Sequence, residues 1–336
     1  MSNAGHGMFR KCSCSRGDMR SSRAIATSPV VRCRWRHDST CPARDPARWG
    51  HGVRCHRCRG FGWEDLMGND ASWEDRLEQA FATFSRFVPD AEPARVLESM
   101  ERRLGALGTF AFATVGEMWD RPVLDRRDRS LMIIAVLATQ GRDEELELHT
   151  RVGLRHGLSR TEIEEINLHI AAYVGFPAAM AANRRMDAAF REAEGVERIE
   201  GRAPGDHLSD AERLERAADV RASLTAGRAN PDPKADLEAM RGYVGGVGDW
   251  AMKWAFGEIW SRPELSRRDR SLVVIAILAA LAQNAELTFH VRAGLNHGLT
   301  REEITEMMTH LCLYIGFPRA VEGMRTTMEV FAALDA

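Results

Sequence analysis

Through most of the chain, apolar residues return every three or four positions, the rhythm of helices with one buried face. Ile163, Ile166, Ile170 and Tyr173 share one such face, and Leu146, Val152 and Leu154 share another. Two runs, 131–139 and 272–282, are the longest apolar stretches. Both fall well short of the ~18 residues a membrane span needs. Punctuation fits the same reading. Ser159-Arg-Thr-Glu162 and Thr300-Arg-Glu-Glu303 have the form of capping boxes that open a helix. Gly157 and Gly298 stand just past helix ends, while Pro177 and Pro318 should kink or end the helix that reaches them. Few segments alternate with the period of a strand. The pattern predicts an all-α bundle.

The bundle is written twice. Gly116-Glu-Met-Trp-Asp-Arg-Pro, with the stretch that follows it to Leu131, recurs as Gly257-Glu-Ile-Trp-Ser-Arg-Pro through Leu272. The offset is 141 residues, from Glu117 to Glu258 and again from His149 to His290, and about half of positions 116–180 are identical to their counterparts. At that offset Lys253 is answered by Phe112. Asp75-Arg-Leu-Glu-Gln-Ala80 answers Glu212-Arg-Leu-Glu-Arg-Ala217 with a small shift. A period this long marks a duplicated domain, since solenoid repeats run to 20–50 residues. The expected division is a first domain at 67–196, a linker at 197–207 broken by Gly201, Pro204 and Gly205, and a second domain at 208–336.

Composition changes the picture only at the start. Residues 1–66 hold 13 Lys and Arg against 5 Asp and Glu, and six of the seven cysteines. They show no periodicity, and the expectation is a disordered basic leader; a transit peptide, or translation starting naturally at Met67, are the other readings. Cys55-His-Arg-Cys58, with His51 and Cys41 upstream, resembles half of a zinc site, but no second pair completes it. The whole chain of 336 residues is 44% hydrophobic with a net charge of −2. It can bury a core, and nothing suggests coating nucleic acid or a membrane. A cytoplasmic, soluble protein is expected.

Several chemistries fall away. The body has two lysines, Lys234 and Lys253, which leaves one weak candidate for a Schiff base. The glycine-rich stretch 242–248 follows no strand and lacks the Lys-Ser/Thr of a phosphate loop. What repeats is a set of histidines: His149/His290, His156/His297 and His169/His310. His149 and His156 share a helix face two turns apart, and His169 lies one turn before Tyr173, as His310 does before Tyr314. Each has an ordinary structural explanation too: a helix-end cap for His156/His297, core positions for His169/His310, and a carboxylate-bonded buried ring for His149/His290. Glu117/Glu258 would then pair with Arg121/Arg262, Trp119/Trp260 would be packing, and Arg129/Arg270 a salt bridge at a helix start. Glu145 four residues before His149 only loosely resembles a metal pairing.

The ordered motifs Gly-Glu-x-Trp-x-Arg-Pro-x-Leu, Arg-x-Arg-Ser-Leu, Glu-Leu-x-x-His, Gly-Leu-x-His-Gly-Leu and Tyr-x-Gly-Phe-Pro stand in both copies, within a likeness that covers nearly everything from about 73 to 332. They resemble the carboxymuconolactone decarboxylase family, within the alkylhydroperoxidase-D-like superfamily; 254–263 makes the second copy the nearer match. The peroxidase branch carries Cys-x-x-Cys before the histidine; here those places hold Arg142 and Glu145, and Gln283 and Glu286. Peroxide reduction by disulfide cycling then has no nucleophile. The resemblance implies a carboxy-lyase acting on an unsaturated lactone acid or similar small cyclic acid without metal or organic cofactor. Losing CO2 leaves electrons on a dienolate oxygen, which needs hydrogen-bond donors, and a carbon that needs a proton. His149 and His290 are the expected donors, with Glu117 and Glu258 orienting them. His169, His310, Tyr173, Tyr314, Trp119 and Trp260 are expected to line the substrate pocket. Family members form rings, so three tandem chains would give six domains. A non-catalytic helical scaffold is the competing reading.

Overall fold

The computed structural model describes residues 72–201 and 207–336. The basic leader, its cysteine motif and residues 202–206 of the expected linker lie outside them. Among the described residues there are fourteen α-helices and no strand. The first copy runs α1 (Trp73–Phe87), α2 (Pro93–Leu104), α3 (Ala106–Trp119), α4 (Arg126–Gln140), α5 (Asp143–Arg155), α6 (Arg160–Tyr173) and α7 (Phe176–Glu194). The second runs α8 (Asp210–Leu224), α9 (Pro233–Val244), α10 (Gly246–Trp250), α11 (Arg267–Leu281), α12 (Asn284–Asn296), α13 (Arg301–Ile315) and α14 (Phe317–Asp335). A π-helical segment, Ala251–Ile259, continues α10.

Local chemistry sets the boundaries. Both expected capping boxes form, Ser159 with Glu162 and Thr300 with Glu303. Two more open α1 and α8, Ser72 with Asp75 and Ser209 with Glu212. Asp125 and Ser266 cap α4 and α11 by accepting from the backbone N–H three residues on. Pro177 and Pro318 do not kink a helix. Each lies in the first turn of the next one, where a missing N–H costs nothing, and Gly175 or Gly316, at φ 113° or 82°, makes the turn before it.

Helices α4 and α11 form the centre. Every residue from 128 to 138 and from 269 to 280 is buried, so these helices are apolar all round because they are surrounded. They pack against each other, and one continuous core draws on both copies, from Phe87 to Phe331. Duplication in sequence has become one compact unit over the described residues.

The two copies meet reciprocally. Arg127 donates to Asp269 at 2.9 Å and Arg268 to Asp128 at 2.6 Å. Arg121 forks onto Glu306 at 2.8–3.0 Å, and Arg262 binds Glu165 at 2.8 Å. Each contact reappears with the copies exchanged, the signature of a two-fold interface, here inside one chain.

Packing also corrects one alignment. Phe112 sits with Ala80 and Phe84, and the matching place against Ala217 and Leu237 is filled by Met252. Met252, not Lys253, therefore answers Phe112. Lys253 is the extra residue, absorbed by the π segment, and its ammonium bonds Asp210 at 2.6 Å.

Candidate active site

The repeated aromatic and imidazole side chains gather into two clusters, and each cluster mixes the copies. Trp119, at the end of α3, and His149, in α5, come from the first copy. Their partners His310 and Tyr314 come from α13 of the second. In the other cluster Trp260 and His290 meet His169 and Tyr173 of α6. His149 thus faces Tyr314 rather than Tyr173. Spacing along a helix groups His169 with Tyr173 correctly but cannot say which copy they face.

Hydrogen bonds fix the protons. Trp260 Nε1 can only donate, and it donates to Tyr173 Oη at 3.0 Å. The phenol hydrogen is then free for His290 Nε2, 3.4 Å away. That leaves Nδ1 of His290 as the protonated nitrogen, and it is buried with no hydrogen-bond partner. In the first cluster Trp119 Nε1 donates to Tyr314 Oη at 2.9 Å, the indole stacks on His149 at 5.8 Å, and His149 Nδ1 is likewise unpartnered. Burial, then the neighbouring His156 or His297, holds both His149 and His290 down to about 3. Both are neutral rings near pH 7. Burial also pushes the Tyr173 and Tyr314 phenols well above their usual range.

A buried cation supports each cluster from beneath. Arg129 and Arg270 have no exposure at all. Arg129 donates to Glu306 at 2.9 Å, to the carbonyls of Arg121 and Leu124, and to His310 Nδ1 at 2.7 Å. Arg270 does the same for Glu165, Arg262, Leu265 and His169 Nε2, the last at 3.0 Å. A guanidinium only donates, so the imidazole nitrogen facing it must accept. Burial and then the guanidinium charge keep His169 and His310 far below the usual histidine range. These are core histidines with fixed tautomers.

Glu117 and Glu258 do not orient His149 and His290. Their carboxylates pair with Arg76 and Arg213 of the first helix in each copy, the second at 2.9 Å, and are partly exposed. They also do not serve as the partners of Arg121 and Arg262, which are taken by Glu306 and Glu165.

An open cleft of about 460 Å³ lies beside the first cluster, lined by Trp119, Arg121, Leu124, Arg126, Arg127 and His156 with Asp120 and Asp125. His149 is not part of its wall. Trp119 is the shared element, since it lines the cleft and stacks on His149. His156 caps α5 through its backbone, as its position suggests, while its Nδ1 meets Ser130 Oγ at 2.8 Å. Burial, then the charge of Arg126, lowers it to about 4. Sequence reasoning passed over Ser130, Arg126, Glu165 and Glu306. The two glutamates gave a signal: each is a charge one turn before a histidine, on an otherwise apolar face and in both copies. Among the described residues no three His, Cys, Asp or Glu side chains cluster to hold a metal ion, and Cys312 is a free thiol.

The pattern of the carboxymuconolactone decarboxylase family matches residues 106–188 and again 246–329. A 4-carboxymuconolactone decarboxylase from Acinetobacter baylyi is 35% identical over 127 residues, 38% of this chain and 92% of that protein. The chain belongs to the carboxymuconolactone decarboxylase family. A second relative, nitrosuccinic acid decarboxylase from Metarhizium robertsii, is 36% identical over 77 residues, 23% of this chain and 54% of its own length. In this family member two matching regions in tandem supply both halves of each cluster.

Proposed function

We propose that the protein is a carbon–carbon lyase that removes CO2 from a small unsaturated lactone acid, 4-carboxymuconolactone being the first compound to test. Family membership and two decarboxylases at about 35% identity support the reaction class. The observation that carries the site is a buried, neutral imidazole, His149, with an unpartnered Nδ1, stacked on a tryptophan that walls an open cationic cleft.

The chemistry follows from that arrangement. When the bond to the carboxylate carbon breaks, its electron pair moves into the conjugated system and arrives as negative charge on oxygen. A preorganised N–H in a dry site stabilises that charge more than water could, because nothing has to reorient. His149 and His290 are the candidates for such donors, each reached past the indole stacked on it, Trp119 or Trp260. Held to about 3, they act as neutral hydrogen-bond donors and not as imidazolium acids. The proton that ends on carbon comes from solvent through the open cleft. Trp119 gives the leaving carboxylate an apolar wall, which favours its loss as CO2. Tyr314 and Tyr173 hold the indoles in place through their Trp hydrogen bonds.

Purified protein given 4-carboxymuconolactone should release CO2, and the His149→Ala, His290→Ala double variant should lose at least about 100-fold in kcat, the order found when an oxyanion donor is removed. Equal turnover by wild type and the folded double variant would reject these residues.

A further inference from the structure

The two clusters share their core but differ at the mouth. In the second copy, His297 uses both nitrogens: Nδ1 meets Ser271 Oγ at 2.8 Å and Nε2 meets Ser223 Oγ at 3.0 Å. In the first copy His156 keeps the matching serine, Ser130, but its Nε2 is buried without a partner. The residue that answers Ser223 is Arg86. Two backbone contacts confirm this register. Arg155 Nη1 donates to the Phe87 carbonyl at 2.5 Å, as Asn296 Nδ2 donates to the Leu224 carbonyl at 2.9 Å.

Charge diverges at the same place. In the first copy Arg126 binds Asp120 through Nη2 at 3.2 Å, and its Nη1 is buried with no partner. Arg86 stands 3.9 Å from the same Asp120. The second copy puts Ser261 where Asp120 is, and that hydroxyl turns inward to the carbonyl of Gly257 at 2.7 Å. Arg267, which answers Arg126, is paired with Asp219. One guanidinium N–H, on Arg126 Nη1, and one imidazole nitrogen, His156 Nε2, are therefore left unmet at the first mouth. Arg121 and Arg127 beside them already spend their N–H groups on carboxylates, Arg121 on Glu306 and Arg127 on Glu162 and Asp269.

We propose that each chain binds one small carboxylate anion, in the first-copy cleft between Arg126 and His156, and that Ser223 closes the corresponding place beside His297. The ligand class, a carboxylic acid of a few carbons, rests on the decarboxylase reading. The unequal mouths rest on the side-chain contacts alone. A guanidinium holding the departing carboxylate would oppose its loss, because it stabilises the ground state and not the transition state. The anion held at Arg126 is thus a second acidic group of the ligand, and the departing one lies against Trp119.

Calorimetric titration of the full chain with succinate, an unreactive diacid, tests this directly. One succinate should bind per chain, and dimethyl succinate, which lacks the charges, should not bind. Arg126→Gln should weaken binding at least about tenfold, the effect of losing one charge-assisted contact. Arg267→Gln should leave both stoichiometry and affinity as they are. Arg86→Ser places at the first histidine the residue type that closes the second, and it too should weaken binding. Thermal melts of each variant separate lost binding from lost folding. Two equal sites per chain, equal loss in Arg126→Gln and Arg267→Gln, or no binding by folded wild type would each overturn the proposal. The two readings fail separately. Succinate bound as described with no acid decarboxylated would leave this site standing without the lyase reading. Turnover that depends on Arg267 and not on Arg126 would do the reverse.

Discussion

Arg129 and Glu306 form an ion pair with almost no exposure on either side, and Arg270 with Glu165 repeats it. Breaking such a pair leaves an uncompensated charge in the core, at a cost of about 3–5 kcal/mol. Glu306→Gln should destabilise the protein by about that much in urea unfolding, more than an exposed pair such as Arg95 with Glu92, where Glu92→Gln should cost under about 1 kcal/mol. The histidines make a second prediction. His149 and His290 are held near 3, and His156 and His297 near 4, whereas unfolded imidazole titrates near ~6.5. Between those values the unfolded chain binds more protons than the folded one, so stability falls as pH drops. Melting temperature should be level above about pH 7 and decline steadily from about 6 towards 4; a flat profile down to pH 4.5 would contradict the buried neutral rings. Repetition alone singled out His149, His169, Tyr173, Trp119 and their counterparts. It could not reveal Glu165 and Glu306 as partners of Arg262, Arg270, Arg121 and Arg129, because a face on one helix does not name the helix opposite.

Helix boundaries were legible because they are written in short-range chemistry. The boxes at Ser159 and Thr300 form as their spacing requires, and the prolines at 177 and 318 mark where one helix gives way to the next. The one-residue insertion at Lys253 was not legible. Identity resumes at Gly257, and extending that register backwards sets Lys253 against Phe112, whereas packing against Ala217 chooses Met252. A π turn is the local means of carrying one extra residue without shifting the helix on either side. Two substitutions test element-scale arguments. Ala282 ends α11 at φ 56°, where the first copy has Gly141 at φ 64°. Ala282→Gly should stabilise by about 0.5–1 kcal/mol, since only glycine takes that conformation without steric penalty. At Gly116 an added Cβ would stand 2.3 Å from Ala80 Cα. Gly116→Ala should force α1 and α3 apart and cost about 1–3 kcal/mol, the range for overpacking; chemical denaturation measures both.

At the scale of the molecule, the sequence announced two copies but not that they share one core. Periodicity reports that 131–138 is buried, and only the fold shows that 272–280 helps to bury it. A half-chain ending before the second copy would expose α4, so when expressed alone it should self-associate or aggregate. Co-expressed halves should co-purify as a pair. Apolar side chains also remain exposed in matching places, Leu104, Leu107 and Phe110 in one copy and Val244, Val247 and Trp250 in the other. Patches repeated in this way suit further self-association, and light scattering is expected to give a mass above that of one chain; a strictly monomeric mass at micromolar concentration would refute it. No described helix is long and apolar enough to cross a membrane.

The fusion has one further consequence. In an assembly of identical subunits every substitution is printed at both symmetry-related positions, so neither pocket can be altered alone. Joining the subunits end to end removes that compulsion. Arginine can stand at 86 while serine stands at 223, and the shared scaffold tolerates the difference because the interlocked pairs beneath are kept. One gene can then let one pocket explore new ligands while its twin preserves the framework that both need.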